Sequence, residues 1–137
     1  MQTILRLPKA TLDLLHSHAE DGLPLESVAL LFGHVKESGI TVTRLELLEN
    51  TAVSTTSFAV DPEREYKLLI DAEARGEDWV GIFHSHPAPP RPSFRDLQNM
   101  RLNPVVWAIA SRETGSWETR AYLLEEDEIV EVKIVLT

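Results

Sequence analysis

The 137-residue sequence contains no cysteine, so it forms no disulfide and offers neither a thiolate nucleophile nor a cysteine-rich zinc site. Any transition metal bound to this chain would need histidine and carboxylate ligands. No apolar run approaches the roughly 20 residues of a membrane-spanning helix. Residues 1–18 also lack the apolar core and the small-residue cleavage site of a signal peptide. We therefore expect a cytoplasmic protein with no membrane partner.

A basic cluster is also missing, although the formal net charge is -9 and the isoelectric point is near 4.9. Proteins that bind nucleic acids usually carry a basic face, because neutralising phosphates supplies much of their affinity. We therefore expect no nucleic-acid partner. The length and the apolar fraction of 43% suit a single domain that covers residues 1–137. The sequence leaves the oligomeric state open, a homodimer included.

Local patterns predict short strands alternating irregularly with three helices. Helical spacing of apolar residues and helix-start signals predict helices over 9–20, 62–75 and 93–102. Alternating, β-branched or continuous apolar stretches predict strands at 3–8, 26–35, 40–50, 78–86, 104–111, 117–125 and 128–137. We expect an α/β fold in which a single mixed, twisted β-sheet of about six strands is flanked by the helices.

The triplet His-Ser-His occurs twice, at residues 16–18 and at residues 84–86. In a helix, positions i and i+2 project about 200° apart, so the first pair cannot share one metal ion. In a strand, positions i and i+2 face the same side, about 6.5 Å apart along the chain. His84 and His86 could therefore converge on one zinc ion. The alternative for this pair is two exposed histidines at the end of a strand.

Asp96 follows the second triplet on the first turn of the next predicted helix and could supply a third, charged ligand. Three protein ligands leave one tetrahedral position for water, which is typical of catalytic rather than structural zinc sites. Ser93 and Asp96 also form the pattern S-x-x-D, which can simply cap a helix. The two interpretations are compatible, because a capped helix start presents a hydroxyl and backbone N–H groups nearby.

The chain resembles the JAMM (MPN-type) metalloprotease family. That family's signature is a glutamate near an early apolar strand, then HSHP or HTHP, then S-x-x-D. Here Glu26 stands in LPLESVALLFG, and HSHP and SFRD follow as residues 84–87 and 93–96. The likeness runs from about residue 23 to residue 124, and the loop between His86 and Ser93 is one residue shorter than is usual in the family.

The resemblance implies a JAMM/MPN fold, related to that of cytidine deaminases, and one zinc ion held by His84, His86 and Asp96. It also implies that Glu26 acts as general base on a zinc-activated water and then protonates the leaving amine. Ser93 would donate a hydrogen bond to the oxyanion that forms.

The resemblance further implies an isopeptidase that cuts after the C-terminal Gly-Gly of a ubiquitin-like or sulfur-carrier modifier conjugated to lysine. The family's usual place for substrate contacts corresponds to the segment Ser54, Thr55, Thr56, Ser57 and Phe58. An extended Gly-Gly tail could pair with backbone there. The alternative for this segment is a plain surface loop.

Two other classes of function compete with this prediction. A catalytically inert MPN-type scaffold would bind partners without chemistry, but such relatives lack the metal ligands. A DNA-associated relative with a similar histidine motif is disfavoured by the acidic composition. Zinc nucleotide deaminases require a cysteine pair, which this chain lacks.

Overall fold

The computed structural model describes residues 3–137, so Met1 and Gln2 of the predicted domain lie outside it. Its helices are α1 (Lys9–Gly22), α2 (Pro62–Ala74) and α3 (Phe94–Leu102). Its strands are β1 (Ile4–Leu7), β2 (Val28–Lys36), β3 (Gly39–Leu48), β4 (Asp78–Ser85), β5 (Val106–Ser111), β6 (Glu118–Glu125) and β7 (Glu128–Leu136). The predicted segments match these elements to within about two residues at each end.

The strands form a closed barrel of seven strands, so the expected α/β fold with a single mixed sheet of about six strands flanked by helices is wrong. The hydrogen-bonded order is β1-β3-β2-β4-β5-β6-β7, and β7 pairs with β1 to close the ring. The short strand β1 makes this closure, because it runs parallel to both β3 and β7. Leu5 and Leu7 on β1 are fully buried. Local sequence patterns do not reveal which strands pair across such distances.

Two apolar cores lie on opposite faces of the barrel wall, and β2 contributes to both. Ala29 and Leu31 pack with Leu15 and Ala19 of α1 in the first core. Val28, Leu30 and Phe32 point the other way and pack with residues of α2 and α3. This division explains why the β2 sequence is an almost uninterrupted apolar run, since a strand covered on both faces needs apolar residues at every position.

The ends of the helices follow their local signals. The Asp61 side chain accepts a hydrogen bond of 3.0 Å from the Glu63 N–H at the start of α2, and proline occupies the first turn. Ser93 caps α3 in a complete capping box with Asp96. Within residues 3–137, no helix has both the length and the apolar character needed to cross a bilayer.

Four elements meet at one end of the barrel wall. The start of β2 is antiparallel to the end of β4, where Val28 is opposite His84, and β5 runs parallel to β4 on its other side. The loop after β4 returns to the N-terminus of α3. Residues that are distant in sequence, those around 26, 84 and 96, therefore lie together.

Candidate active site

The end of β4 presents His84 and His86 in the arrangement expected for a strand. His84 is fully buried and its ring centroid lies 5.7 Å from that of His86, with the two rings nearly perpendicular. His84 Nδ1 lies 3.0 Å from the backbone carbonyl of Ser85. A proton on Nδ1 satisfies that carbonyl and leaves the lone pair of Nε2 available, so the contact orients the imidazole to bind a metal through Nε2.

Glu26 lies immediately before β2, and its side chain is directed at His84. Its Oε1 is 3.4 Å from His84 Nδ1, and the carboxylate is almost completely buried. The backbone of Glu26 is held on both sides, because its N–H donates to the Ser54 carbonyl at 3.0 Å and its carbonyl accepts from the Asn50 side chain at 2.9 Å. The position of this carboxylate is therefore tied to the loop that follows β3.

Asp96 brings a second buried carboxylate to the same two histidines. Its Oδ1 is 3.2 Å from His84 Nε2, and its Oδ2 is 3.9 Å from His86 Nε2. The Ser93 backbone N–H donates to Asp96 Oδ2 at 2.9 Å, and the Ser93 hydroxyl accepts from the Asp96 N–H at 3.1 Å. A hydroxyl that accepts one bond still has its own hydrogen to donate.

The buried charges shift the ionisation of the cluster. Burial by itself would lower the pKa of His84, but the neighbouring carboxylates of Asp96 and Glu26 outweigh it and raise that pKa to about 9 when no metal ion is bound. Burial would raise the pKa of Asp96, but its contacts with His84 and with Ser93 hold it below the usual range. The two shifts are consistent, because each group stabilises the charged form of the other.

The histidine nitrogens and carboxylate oxygens of the cluster are chemically suited to bind a divalent metal ion. Three buried polar atoms of the cluster, Glu26 Oε2, His84 Nε2 and His86 Nδ1, have no hydrogen-bond partner among residues 3–137. Such atoms are rare in folded proteins and often mark an ion or a water. Two ligands bonded to one tetrahedral zinc at 2.0–2.1 Å are about 3.3 Å apart. The 3.2 Å separation of His84 Nε2 and Asp96 Oδ1 agrees with that value.

His86 stands slightly too far from the other two side chains. Its Nε2 is 3.9 Å from the nearer Asp96 oxygen, longer than two ligands of one zinc ion require. In the part of the chain that the structure describes, no three His, Asp or Glu side chains are already arranged to hold a metal ion. The His86 side chain is partly exposed and lies just past the end of β4, so it is the member of the set with room to adjust.

The segment predicted to contact substrate borders this cluster. Thr55 and Thr56 are exposed, whereas Ser54, Ser57 and Phe58 are half-buried. The Phe58 ring packs against His84 with the centroids 5.0 Å apart, and against Trp107 at 6.0 Å. This position shows that Phe58 covers a buried histidine, a contact that the sequence did not suggest.

Asn50 is the residue of the site that sequence reasoning missed. Its buried amide donates to the carbonyls of Glu26 and Ser57 at 2.9 and 3.0 Å. Its side-chain oxygen accepts from the N–H groups of Ala52 and Ala59 at 3.0 and 3.1 Å. An asparagine directly after a strand and before a Ser/Thr-rich loop is a known turn signal, since its side chain bonds to backbone two residues further on. That signal predicts the Ala52 contact but not the long-range ones.

The proline loop between β4 and α3 is hydrogen-bonded to β6. The Tyr122 hydroxyl on β6 donates to the Pro90 carbonyl at 2.7 Å. Although this loop is one residue shorter than is usual in JAMM proteins, it leads Asp96 to within 3.2 Å of His84. The tyrosine contact holds the loop against the barrel at its midpoint.

The histidines of α1 lie outside this cluster and make other contacts. His16 Nε2 is 2.7 Å from the Thr119 hydroxyl, and burial lowers the pKa of His16 despite the nearby Asp13. His18 Nε2 donates to the Val28 carbonyl at 3.0 Å. Both half-buried rings join α1 to neighbouring strands. His34 on β2 is exposed.

Comparisons of this chain with known proteins all indicate the same family. Residues 8–123 match the family model described as prokaryotic homologs of the JAB domain. A desampylase from Pyrococcus furiosus is 42% identical over 114 residues, which cover 82% of this chain and 76% of that protein. A probable TtuB-protein conjugate cleaving protease from Thermus thermophilus is 30% identical over 134 residues, covering 96% of this chain and 84% of that protein.

Structural similarity extends over nearly the whole chain. A protein from Desulfitobacterium hafniense, known from a solution structure, superposes with a TM-score of 0.84 at 30% identity. The match covers 98% of this chain and 93% of that protein. The resemblance to the JAMM (MPN-type) family is confirmed, and the chain belongs to the prokaryotic homologues of the JAB domain.

Proposed function

We propose that this protein is a cytoplasmic, single-domain, zinc-dependent isopeptidase that releases a ubiquitin-like or sulfur-carrier modifier from lysine. The observation that supports this most is the buried cluster of two imidazoles and two carboxylates in which three polar atoms have no hydrogen-bond partner among residues 3–137. Two relatives are named for the removal of modifiers from conjugates, the desampylase and the TtuB-conjugate protease. The substrate would be the amide between the modifier's C-terminal Gly-Gly and a lysine side chain.

His84, His86 and Asp96 would hold the zinc ion. Bound there, zinc would act as a Lewis acid and lower the pKa of a water molecule to about 7, which makes a nucleophile available at neutral pH. The hydrogen bond from His84 Nδ1 to the Ser85 carbonyl keeps Nε2 directed at the Asp96 carboxylate. In the capping box, the Ser93 N–H donates to the Asp96 carboxylate and fixes its position.

Glu26 would move the proton of the reaction. It takes one proton from the attacking water as the oxygen bonds to the amide carbon, and it gives that proton to the nitrogen as the C–N bond breaks. The second proton of the water also ends on the nitrogen, so the products are the modifier's carboxylate and a lysine ammonium group. Glu26 suits this role because its carboxylate is buried beside the histidines and its Oε2 has no hydrogen-bond partner within residues 3–137.

Ser93 and the segment 54–58 would bind the substrate rather than transfer protons. The Ser93 hydroxyl retains a hydrogen to donate to the oxyanion, because it only accepts in the capping box. The modifier's extended tail would lie along Ser54–Phe58, where Thr55 and Thr56 are exposed. Phe58 would at the same time exclude water from one side of His84.

The decisive experiment combines zinc content with cleavage of a panel of modifier–lysine conjugates and linear fusions. Glu26→Gln should retain zinc by elemental analysis and lose at least 100-fold in kcat, since general acid–base catalysis contributes about 10²–10⁴-fold. Glu73→Gln, at an exposed acid on α2 that forms no ion pair within the described residues, is the matched control and should remain active. A fully active Glu26→Gln variant would remove Glu26 from the mechanism.

The inert MPN-type scaffold remains the competing function, and the same panel distinguishes it. A scaffold would cleave no conjugate in the presence of zinc, and purified protein would contain no stoichiometric metal. The sequence argues against the scaffold, because it has a residue of the required type at every position of the family's metal-binding and general-base signature.

A further inference from the structure

A cavity of about 210 Å³ opens beside the catalytic cluster. Glu26, Ser85 and His86 line it on the side of the reacting groups. At one edge it meets Thr55, which belongs to the segment proposed to bind the modifier's tail. The remaining walls are mainly apolar and include Leu23, Pro24, Leu25, Pro87 and Trp117.

The proposed proton transfer determines which half of the substrate faces this cavity. Glu26 must reach the nitrogen of the leaving amine in order to protonate it. The leaving group of an isopeptide is a lysine side chain, so its nitrogen has to lie next to the Glu26 carboxylate. Since Glu26 lines the cavity, the four methylene groups of the lysine extend from that nitrogen into the space that the cavity provides.

We propose that this cavity binds the side chain of the modified lysine, and so recognises the acceptor half of the conjugate. The inference rests on the proposed isopeptidase function. Apolar walls suit a methylene stem, whereas the Gly-Gly end of the modifier has no side chain with which to fill such a space. A volume of about 210 Å³ equals that of about seven water molecules at ~30 Å³ each, which is enough for one lysine side chain.

The charges on the cavity walls fit the same occupant. At the rim, Arg112 is engaged by Glu20 at 3.0 Å. Glu113 makes no ion pair within the described residues, so it leaves a negative charge that favours a lysine amine after cleavage.

The test varies the length of the acceptor side chain while the modifier stays the same. The probes are one Gly-Gly-terminated modifier linked to lysine, to ornithine and to diaminopropionic acid, each within the same short peptide. Burial of a methylene group is worth about 0.8 kcal/mol, so kcat/KM should fall by up to about fourfold for each methylene removed. Leu23→Ala should flatten this series, because it removes one apolar wall.

Leu136→Ala is the matched control, since Leu136 is 48% exposed and Leu23 is 47% exposed. It should leave the whole series unchanged. Equal kcat/KM for the three acceptors in the parent enzyme would overturn the proposal while leaving the isopeptidase function intact. An equal loss on all three acceptors in Leu23→Ala would also overturn it. Failure of the parent enzyme to cleave any conjugate would instead refute the function itself.

Discussion

Replacing Asn50 with alanine should loosen the loop after β3 and weaken the whole domain. The side chain makes four hydrogen bonds of 2.9–3.1 Å, two as donor and two as acceptor. Each intramolecular hydrogen bond contributes about 1 kcal/mol net, and a buried partner left unsatisfied costs more. Ala52 and Ala59 are exposed, so water can replace the bonds to their N–H groups. The Glu26 carbonyl belongs to a buried residue, so water cannot as easily replace the hydrogen bond that it loses.

We therefore expect Asn50→Ala to lower the free energy of unfolding by about 2–3 kcal/mol. For a chain of this length that corresponds to a decrease in Tm of about 10 °C. Chemical denaturation measures the free energy, and amide hydrogen exchange at Ala52 and Ala59 reports whether the loop opens locally. Exchange at these two N–H groups should accelerate more than exchange in β5.

Asn50→Asp distinguishes the role of the side-chain oxygen, which accepts hydrogen bonds, from that of the side-chain nitrogen, which donates them. It keeps an acceptor for Ala52 and Ala59 but loses the donors to Glu26 and Ser57, and it places a carboxylate against their carbonyls. It should destabilise at least as much as the alanine variant. If both variants unfold within 0.5 kcal/mol of the parent, at about the scale of an ordinary surface substitution, the reasoning is refuted.

Three further predictions concern the metal ligands, the proline loop and the barrel wall. Zinc at 100 times its Kd should stabilise the parent by about 2.7 kcal/mol in thermal denaturation; Asp96→Asn should abolish that shift and the exposed Asp13→Asn should keep it. Tyr122→Phe should cost about 1 kcal/mol in chemical denaturation through loss of its bond to the proline loop, and an unchanged midpoint would mean that the bond contributes nothing. Gly33→Ala should cost at least about 2 kcal/mol, because a Cβ there would lie 1.8 Å from the Thr41 carbonyl oxygen; a variant as stable as the parent would show that the backbones of β2 and β3 move apart there at little cost.

The local parts of the site were accessible from the sequence because each depends on short-range geometry. Two histidines at i and i+2 share a face only in a strand, and S-x-x-D before a helix specifies a capping box. The structure contains that capping box and brings His84, Asp96 and Glu26 within hydrogen-bonding range or close to it. Spacing alone could not bring Glu26 to the cluster; the family resemblance supplied that expectation.

The parts that the sequence did not reveal depend on contacts between distant segments. Closure of the barrel requires β1 to pair with β7, and no local pattern in either strand identifies the other. The contacts of Asn50 with Glu26 and Ser57 likewise depend on how the loop folds back over β2. The cavity beside Glu26 is assembled from the segment before β2, the loop after β3, the end of β4 and the loop after β5. Such a cavity exists only once the fold is complete.

The pairing of β1 with β7 has a consequence for how the protein folds. Ile4 is aligned with Lys133, so this contact closes a loop that includes nearly the whole sequence. Loop-closure entropy grows with loop length, and contacts of this kind slow folding. The elements around the catalytic cluster, β2, β4 and α3, are separated by much shorter stretches of chain. We expect the wall that bears the cluster to assemble first and the ring to close afterwards.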